Sequence, residues 1–412
     1  MRGLLSTKRR FLGGSILAWM AVTCGIFISW HGALGIPVQV SAVIAGLDVS
    51  AKDSGFLGTL ELTTMSVVSI LLALRIDRWS KPGIALLGVV LAIAGQALSG
   101  YAHIFGSLDS YDVLLVTRLV VGVGAGLIYG AACASVAGNP SGDRLFGLGV
   151  SAGQVFLTLM LLAMPWIASH WNDQQGVYLT LAALSIAFGG FLYKLPNPRI
   201  TKEQKMAHTA QPALLSPFNI FLFFVALSLF NIAIGMDWSF ADRRADDIGM
   251  TDEQAGSFLA MMPLGGILGS GIAGVIGDRF GRVRTFVVAL LCCTVACFIM
   301  ARSHSVASMV AAMLTLGTFE LFVMTYFIAT ATRFDRQGHW VTFAGGMTML
   351  TYGFGPGIGG FLSQWITTAQ VCETAGITCA VAAIVQIPVC LALEKKVTEP
   401  RGRQPEELAE TA

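Results

Sequence analysis

Charge is scarce in this sequence. Asp, Glu, Lys and Arg make up 12% of its 412 residues, against roughly 25% in a soluble domain. Hydrophobic residues make up 55% and the mean hydropathy is +0.71. A soluble fold has too little polar surface to cover this much apolar side chain, so the solvent is lipid. The six His are scattered and the eight Cys fall mostly in apolar runs. No pair stands at metal-ligand spacing, so neither a metal nor a cofactor is expected. A Gly-x-x-x-x-Gly-Lys-Ser/Thr phosphate loop is missing, which excludes ATP as the energy source. No nucleophile–base–orienter set is recognisable, and an enzyme is not expected. With a net charge of +2, no nucleic-acid partner is expected either.

What the sequence does have is a repeat. Ser50, Gly55, Asp77, Arg78 and Lys81 recur 201 residues later as Thr251, Gly256, Asp278, Arg279 and Arg282, with apolar sequence filling each Gly-to-Asp interval. A charged pair ending an apolar helix, repeated at half the chain length, indicates an internally duplicated membrane protein. Twelve spans are read at about 10–45, 53–75, 82–102, 110–138, 142–168, 175–195, 216–246, 252–277, 284–302, 305–333, 338–366 and 376–394. The polar stretch 196–215 links an N-terminal six-helix half, 1–195, to a C-terminal half, 216–394. A charged tail, 395–412, follows. The 47 glycines, spread through apolar runs, suit closely packed membrane helices.

The basic residues give the orientation. Of 26 Lys and Arg, 21 fall on the side of the N-terminus; Lys52, Arg243, Arg244 and Arg302 fall opposite, and Arg118 lies within a span. By the positive-inside rule both termini are cytoplasmic, in a multi-pass protein of the inner membrane. Lys8-Arg9-Arg10 before an apolar run reads as an uncleaved first helix, because no small-residue cleavage site follows. Cys372 and Cys379, seven residues apart, are read as free thiols, since two helical turns separate them by roughly 10 Å.

Two six-helix halves, a middle loop and matched Asp-Arg turns after spans two and eight resemble the major facilitator superfamily. Its signature Gly-x-x-x-Asp-Arg-x-Gly-Arg is matched in full by Gly274, Asp278, Arg279, Gly281 and Arg282. It is matched in softened form by Ala73, Asp77, Arg78, Ser80 and Lys81. A second family pattern, Arg-x-x-x-Gly-x-Gly, appears as Arg118, Gly122 and Gly124. The resemblance implies an all-α membrane fold of twelve helices. It also implies that Asp77, Arg78, Lys81, Asp278, Arg279 and Arg282 form a latch that holds the outward-facing state closed on the cytoplasmic side. Their chemistry suits that role, since cations offset the carbonyls at helix C-termini.

A charge at mid-bilayer costs on the order of 2.5–3.5 kcal/mol, so each one needs a reason. Glu61, Arg118, Glu320, Asp237 and His31 are therefore candidates for proton coupling or substrate binding. Shifted by 201, Glu320 falls at 119, beside Arg118. Asp237 could instead pair with Arg243 or Arg244, and His31 could be a hydrogen-bonded packing residue. By resemblance, spans one and seven line the central cavity, and Trp30, Trp238, Gln154 and Asn231 complete the list. Gly355, Pro356 and Gly359 predict a hinge in span eleven.

The function this supports is secondary active transport of a small organic solute, driven by protons and performed by a monomer in lipid. Uptake of a metabolite, an organic anion attracted by Arg118, is the first reading. Drug or metabolite efflux, suggested by the Gly/Pro-rich span eleven, is the second. A non-transporting sensor is the third.

Overall fold

The computed structural model describes residues 16–73, 75–76, 79–102, 110–136, 142–197, 216–276, 281–331 and 339–398. Among these residues the chain forms fourteen α-helices and no strand. In chain order they are α1 (Ile16–Leu34), α2 (Ile36–Leu47), α3 (Ala51–Ala73), α4 (Lys81–Gly100), α5 (Ser110–Val136), α6 (Gly142–His170) and α7 (Gln174–Gly189, extended by a 3-10 turn, Gly190–Lys194). The second set is α8 (Pro217–Ser239), α9 (Ala241–Asp247), α10 (Asp252–Ile276), α11 (Arg282–Arg302), α12 (Val306–Ala331), α13 (His339–Leu362) and α14 (Thr368–Thr398).

Eleven of them are long and apolar enough to cross a membrane. The helix α13 has the length, at 24 residues, but its glycines dilute its hydropathy. The spans expected at 10–45 and 216–246 are each two helices. The first divides at Gly35, where Pro37 in the opening turn of α2 brings no N–H into the helix. The second divides at Phe240, between α8 and α9.

The repeated residues now have structural meanings. Ser50 and Thr251 start equivalent helices: the Ser50 hydroxyl accepts from the Asp53 N–H (3.1 Å) and the Thr251 hydroxyl from the Gln254 N–H (3.3 Å). Gln254 returns a bond to the Thr251 N–H at 3.1 Å, closing a capping box. Of the latch residues, Asp77, Arg78, Asp278 and Arg279 lie outside the described residues, as does the side chain of Arg282. Lys81 is buried at the start of α4.

Helices α1–α7 pack among themselves, as do α8–α14; the two sets meet where α3 lies along α13 and α6 along α10. The 201 offset joins α3 to α10 and α4 to α11, but α5 and α12 begin at Ser110 and Val306, 196 apart. Glu320 is therefore equivalent to Gly124, not to residue 119, and the expected match in depth with Arg118 fails. Insertions and deletions in the loops between these helices cause the drift.

Chain alternation defines two faces: the N-face, where α1 begins, and the far face, where α3 and α10 begin. At the far face Gly55 lies against the Pro356 carbonyl and Gly256 against the Leu162 carbonyl. The Ser169 hydroxyl donates to Asp252 (2.6 Å), and the Gly357 N–H donates to the Thr59 hydroxyl (2.7 Å). All four contacts cross between the halves, so the far face is closed. Short α9 is tied to its own half by Arg244, which donates to the carbonyls of Met300 (3.0 Å), Ala301 (3.2 Å) and Ser303 (2.7 Å) at the end of α11.

Candidate functional site

Arg118 pairs with Glu61, not with Glu320. Its Nη1 donates to Glu61 Oε2 at 2.7 Å, and the two side chains are 1% and 4% exposed. The same nitrogen reaches Gln39 Oε1 (3.3 Å); Nη2 reaches Gln96 Oε1 (3.0 Å) and Ser99 Oγ (2.5 Å). The Tyr178 ring lies 4.4 Å from the guanidinium carbon, a cation–π contact. Two of the partners are themselves held: Gln39 Nε2 donates to the Gly32 carbonyl (2.7 Å), and Ser99 Oγ donates to Thr117 (2.7 Å). Gly32 must lack a side chain here, because a Cβ would run into Glu61 Oε1. A gap of about 10 Å³ beside Arg118 has room for one water at most.

A larger cavity, about 380 Å³, lies between the halves toward the N-face. Trp30 of α1, Tyr129 of α5 and Gln154 of α6 form one side; Met324 and Thr325 of α12 and Thr348 of α13 form the other. The Trp30 and Tyr129 rings meet edge-on at 6.1 Å. No lining residue among those described is charged. Glu320, one helical turn from Met324, is half-buried and makes no hydrogen bond to a described residue.

The remaining candidates are packed into their halves. Asp237 is completely buried; its oxygens meet no N–H or O–H donor, and the Cys372 thiol lies beside it. It does not pair with Arg243 or Arg244, because α9 turns Arg244 toward α11. Trp238 is buried with its Nε1 unpartnered. Asn231 donates to the Leu227 carbonyl (2.7 Å). His31 Nε2 is hydrogen-bonded to Ser185 Oγ (2.8 Å), which also lies 2.9 Å from the Leu181 carbonyl. Its Nδ1 is buried without a partner.

Span eleven is continuous through Pro356. Gly355 and Gly359 are where α13 meets Gly235, Met236 and Phe240 of the α8 segment. All eight cysteines that the structure places are free thiols. Cys372 and Cys379 are fully buried within α14, Cys372 about one turn from its far-face end.

Sequence reasoning missed Gln39, Gln96, Ser99 and Tyr129. The two glutamines stand alone in apolar runs, which was a readable signal; the serine and tyrosine carried none.

Residues 214–411 match the Major Facilitator Superfamily. No curated protein matches the chain. Among solved structures, that of a D-xylose-proton symporter superposes with a TM-score of 0.71 at 16% identity, covering 89% of this chain and 95% of that one. A proton dependent oligopeptide transporter gives 0.71 at 15%, covering 92% and 100%. A nucleoside transporter gives 0.67 at 13%, covering 92% and 99%. At these identities the likeness is one of fold.

Proposed function

The chain belongs to the major facilitator superfamily, and from that premise we propose that it carries a small organic solute across the membrane by alternating access, energised by a proton gradient. The observation that carries the reading is the cavity of about 380 Å³ between two halves whose contacts seal the far face. With the N-face taken as cytoplasmic, the protein is in its inward-facing state. Rocking about the α3/α13 and α6/α10 contacts would open the far face. The same pivot would bring the N-face ends of the helices, with the latch residues, together.

Three carboxylates are candidate proton acceptors. Among the described residues Glu320 and Asp237 have no charged partner, and Glu61 has one, Arg118. Protonating Glu61 would free Arg118 from its strongest bond and loosen the contact between α3 and α5. The organic-anion reading has less support, because Arg118 already has four acceptors and no room beside it for a solute.

Purified protein in proteoliposomes, assayed for solute movement with and without an imposed pH gradient, tests the proposal. Gradient-dependent accumulation supports it. Glu61→Gln or Glu320→Gln should abolish uphill movement while leaving exchange partly intact. Undiminished uphill movement in both single variants and the double variant would sink the assignment of coupling to these residues.

A further inference from the structure

We propose that a pocket at the far face, apart from the central cavity, binds an aliphatic diammonium ion that bridges the two halves. This goes beyond the transport reading and stands without it, since binding is read with no gradient and no flux.

The pocket, of about 140 Å³, has α2, the end of α6 and the α6–α7 link on one side and α9 with the start of α10 on the other. That is roughly ten times the space one water needs. Four carboxylates line it: Asp173 from the N-terminal half, and Asp242, Asp246 and Asp252 from the C-terminal half. Closing the far face therefore gathers like charges. Asp252 has a donor, the Ser169 hydroxyl at 2.6 Å. Asp242 has none among the described residues. It is 6% exposed, and the Ser41 hydroxyl beside it meets no partner at hydrogen-bonding geometry. A buried carboxylate so placed calls for a positive group brought in from outside.

The protein's own cations do not supply it. Arg244 is spent on the carbonyls of α11. Arg243 lines the adjoining hollow with Asp246 and Asp247, and so offsets at most one of the four charges.

The wall selects the kind of cation. Among the described residues no three Asp, Glu, His or Cys side chains converge closely enough to hold a metal ion. Six of the twelve lining residues are apolar, Val38, Pro165 and Ala255 among them. A hydrated metal ion gains nothing from such a wall, whereas methylene groups do. A short alkyl chain with an ammonium at each end meets both conditions. Each ammonium brings three donors, and charge-assisted bonds to carboxylates of opposite halves make the ion a bridge.

Isothermal titration calorimetry of the purified full chain at pH 8 compares 1,4-diaminobutane, 1-aminobutane and magnesium chloride. At that pH the amines are protonated, and the Asp242 carboxyl, pushed up to about 7 by burial, is ionised. The diamine should bind at least about tenfold more tightly than the monoamine or magnesium. Asp173→Asn and Asp242→Asn should each lose about tenfold or more in diamine affinity. Asparagine tolerates the positive φ of 38° at position 173, and Asp246→Asn replaces Asp242→Asn if melting shows the latter unfolded. No diamine binding to the folded wild type, equal or tighter binding of magnesium or the monoamine, or unchanged diamine affinity in a folded variant of either half overturns the inference.

Discussion

Substituting alanine for Gly55 and Gly256 should open the far face. A Cβ on Gly55 would lie 3.2 Å from the Pro356 carbonyl carbon and closer still to its oxygen. A Cβ on Gly256 would lie 3.1 Å from the Leu162 carbonyl carbon. Both obstacles are backbone, which cannot rotate aside as a side chain would. Overpacking of this kind costs about 1–3 kcal/mol, and here the cost falls only on the conformer in which the halves touch. Each substitution should therefore move the equilibrium toward the open far face by about 5–150-fold. The gain in helix propensity from Gly to Ala, about 1 kcal/mol, is the same in both conformers and cancels. Electron–electron resonance between spin labels on Asp48→Cys and Asp247→Cys reads the separation of α2 and α9, after replacement of Cys133 and Cys292, the two cysteines that are not fully buried. The double alanine variant should populate a longer distance. Gly271→Ala is the control, because a Cβ there meets nothing within 4 Å. Distance distributions that match wild type, or an equal shift in the control, would refute the reasoning.

Three further outcomes are expected. Arg118→Met leaves Glu61 buried without its counter-charge and should cost about 3–5 kcal/mol, whereas Glu61→Met with Arg118→Met should cost less than that single change; thermal melting in detergent compares them. Asp242, in α9 outside the spans, has its carboxyl pushed up from 3.8 to about 7 by burial and then by the neighbouring Asp246 charge. The folded protein thus binds a proton that the unfolded chain releases between about pH 4 and pH 7, and stability falls as pH rises through that window. Asp242→Asn should flatten the melting temperature measured from pH 5 to 8, and an unchanged slope would count against this account. Thr59→Val removes the acceptor of the Gly357 N–H and should weaken far-face closure by about 0.5–1.5 kcal/mol, visible as a smaller shift with the same spin labels.

The fold was legible because its signal is long-range and redundant. Apolar runs, the 201-residue repeat and the side bias of Lys and Arg each point to the same two-half architecture. The breaks at Gly35 and Phe240 were not read, because each is set by one turn inside an unbroken apolar run. The cavity was only half legible. Trp30 and Gln154 stood out by type, but Tyr129, Thr325 and Thr348 look like ordinary membrane residues until three helices place them together. Arg118 misled for a physical reason: one charge in a span indicates a buried interaction, but sequence does not say whether the partner is a solute or the protein itself. Gln39, Gln96 and Ser99, on two other helices, answer that only once folded.

Arg244 adds a consequence for time. Its three bonds to the carbonyl end of α11 leave α9 unable to swing as a separate flap. The far face then opens only when the whole C-terminal half turns, a motion of the microsecond-to-millisecond class rather than the nanoseconds of a loop. Probes across α2/α9 and across α3/α13 should relax with one common rate.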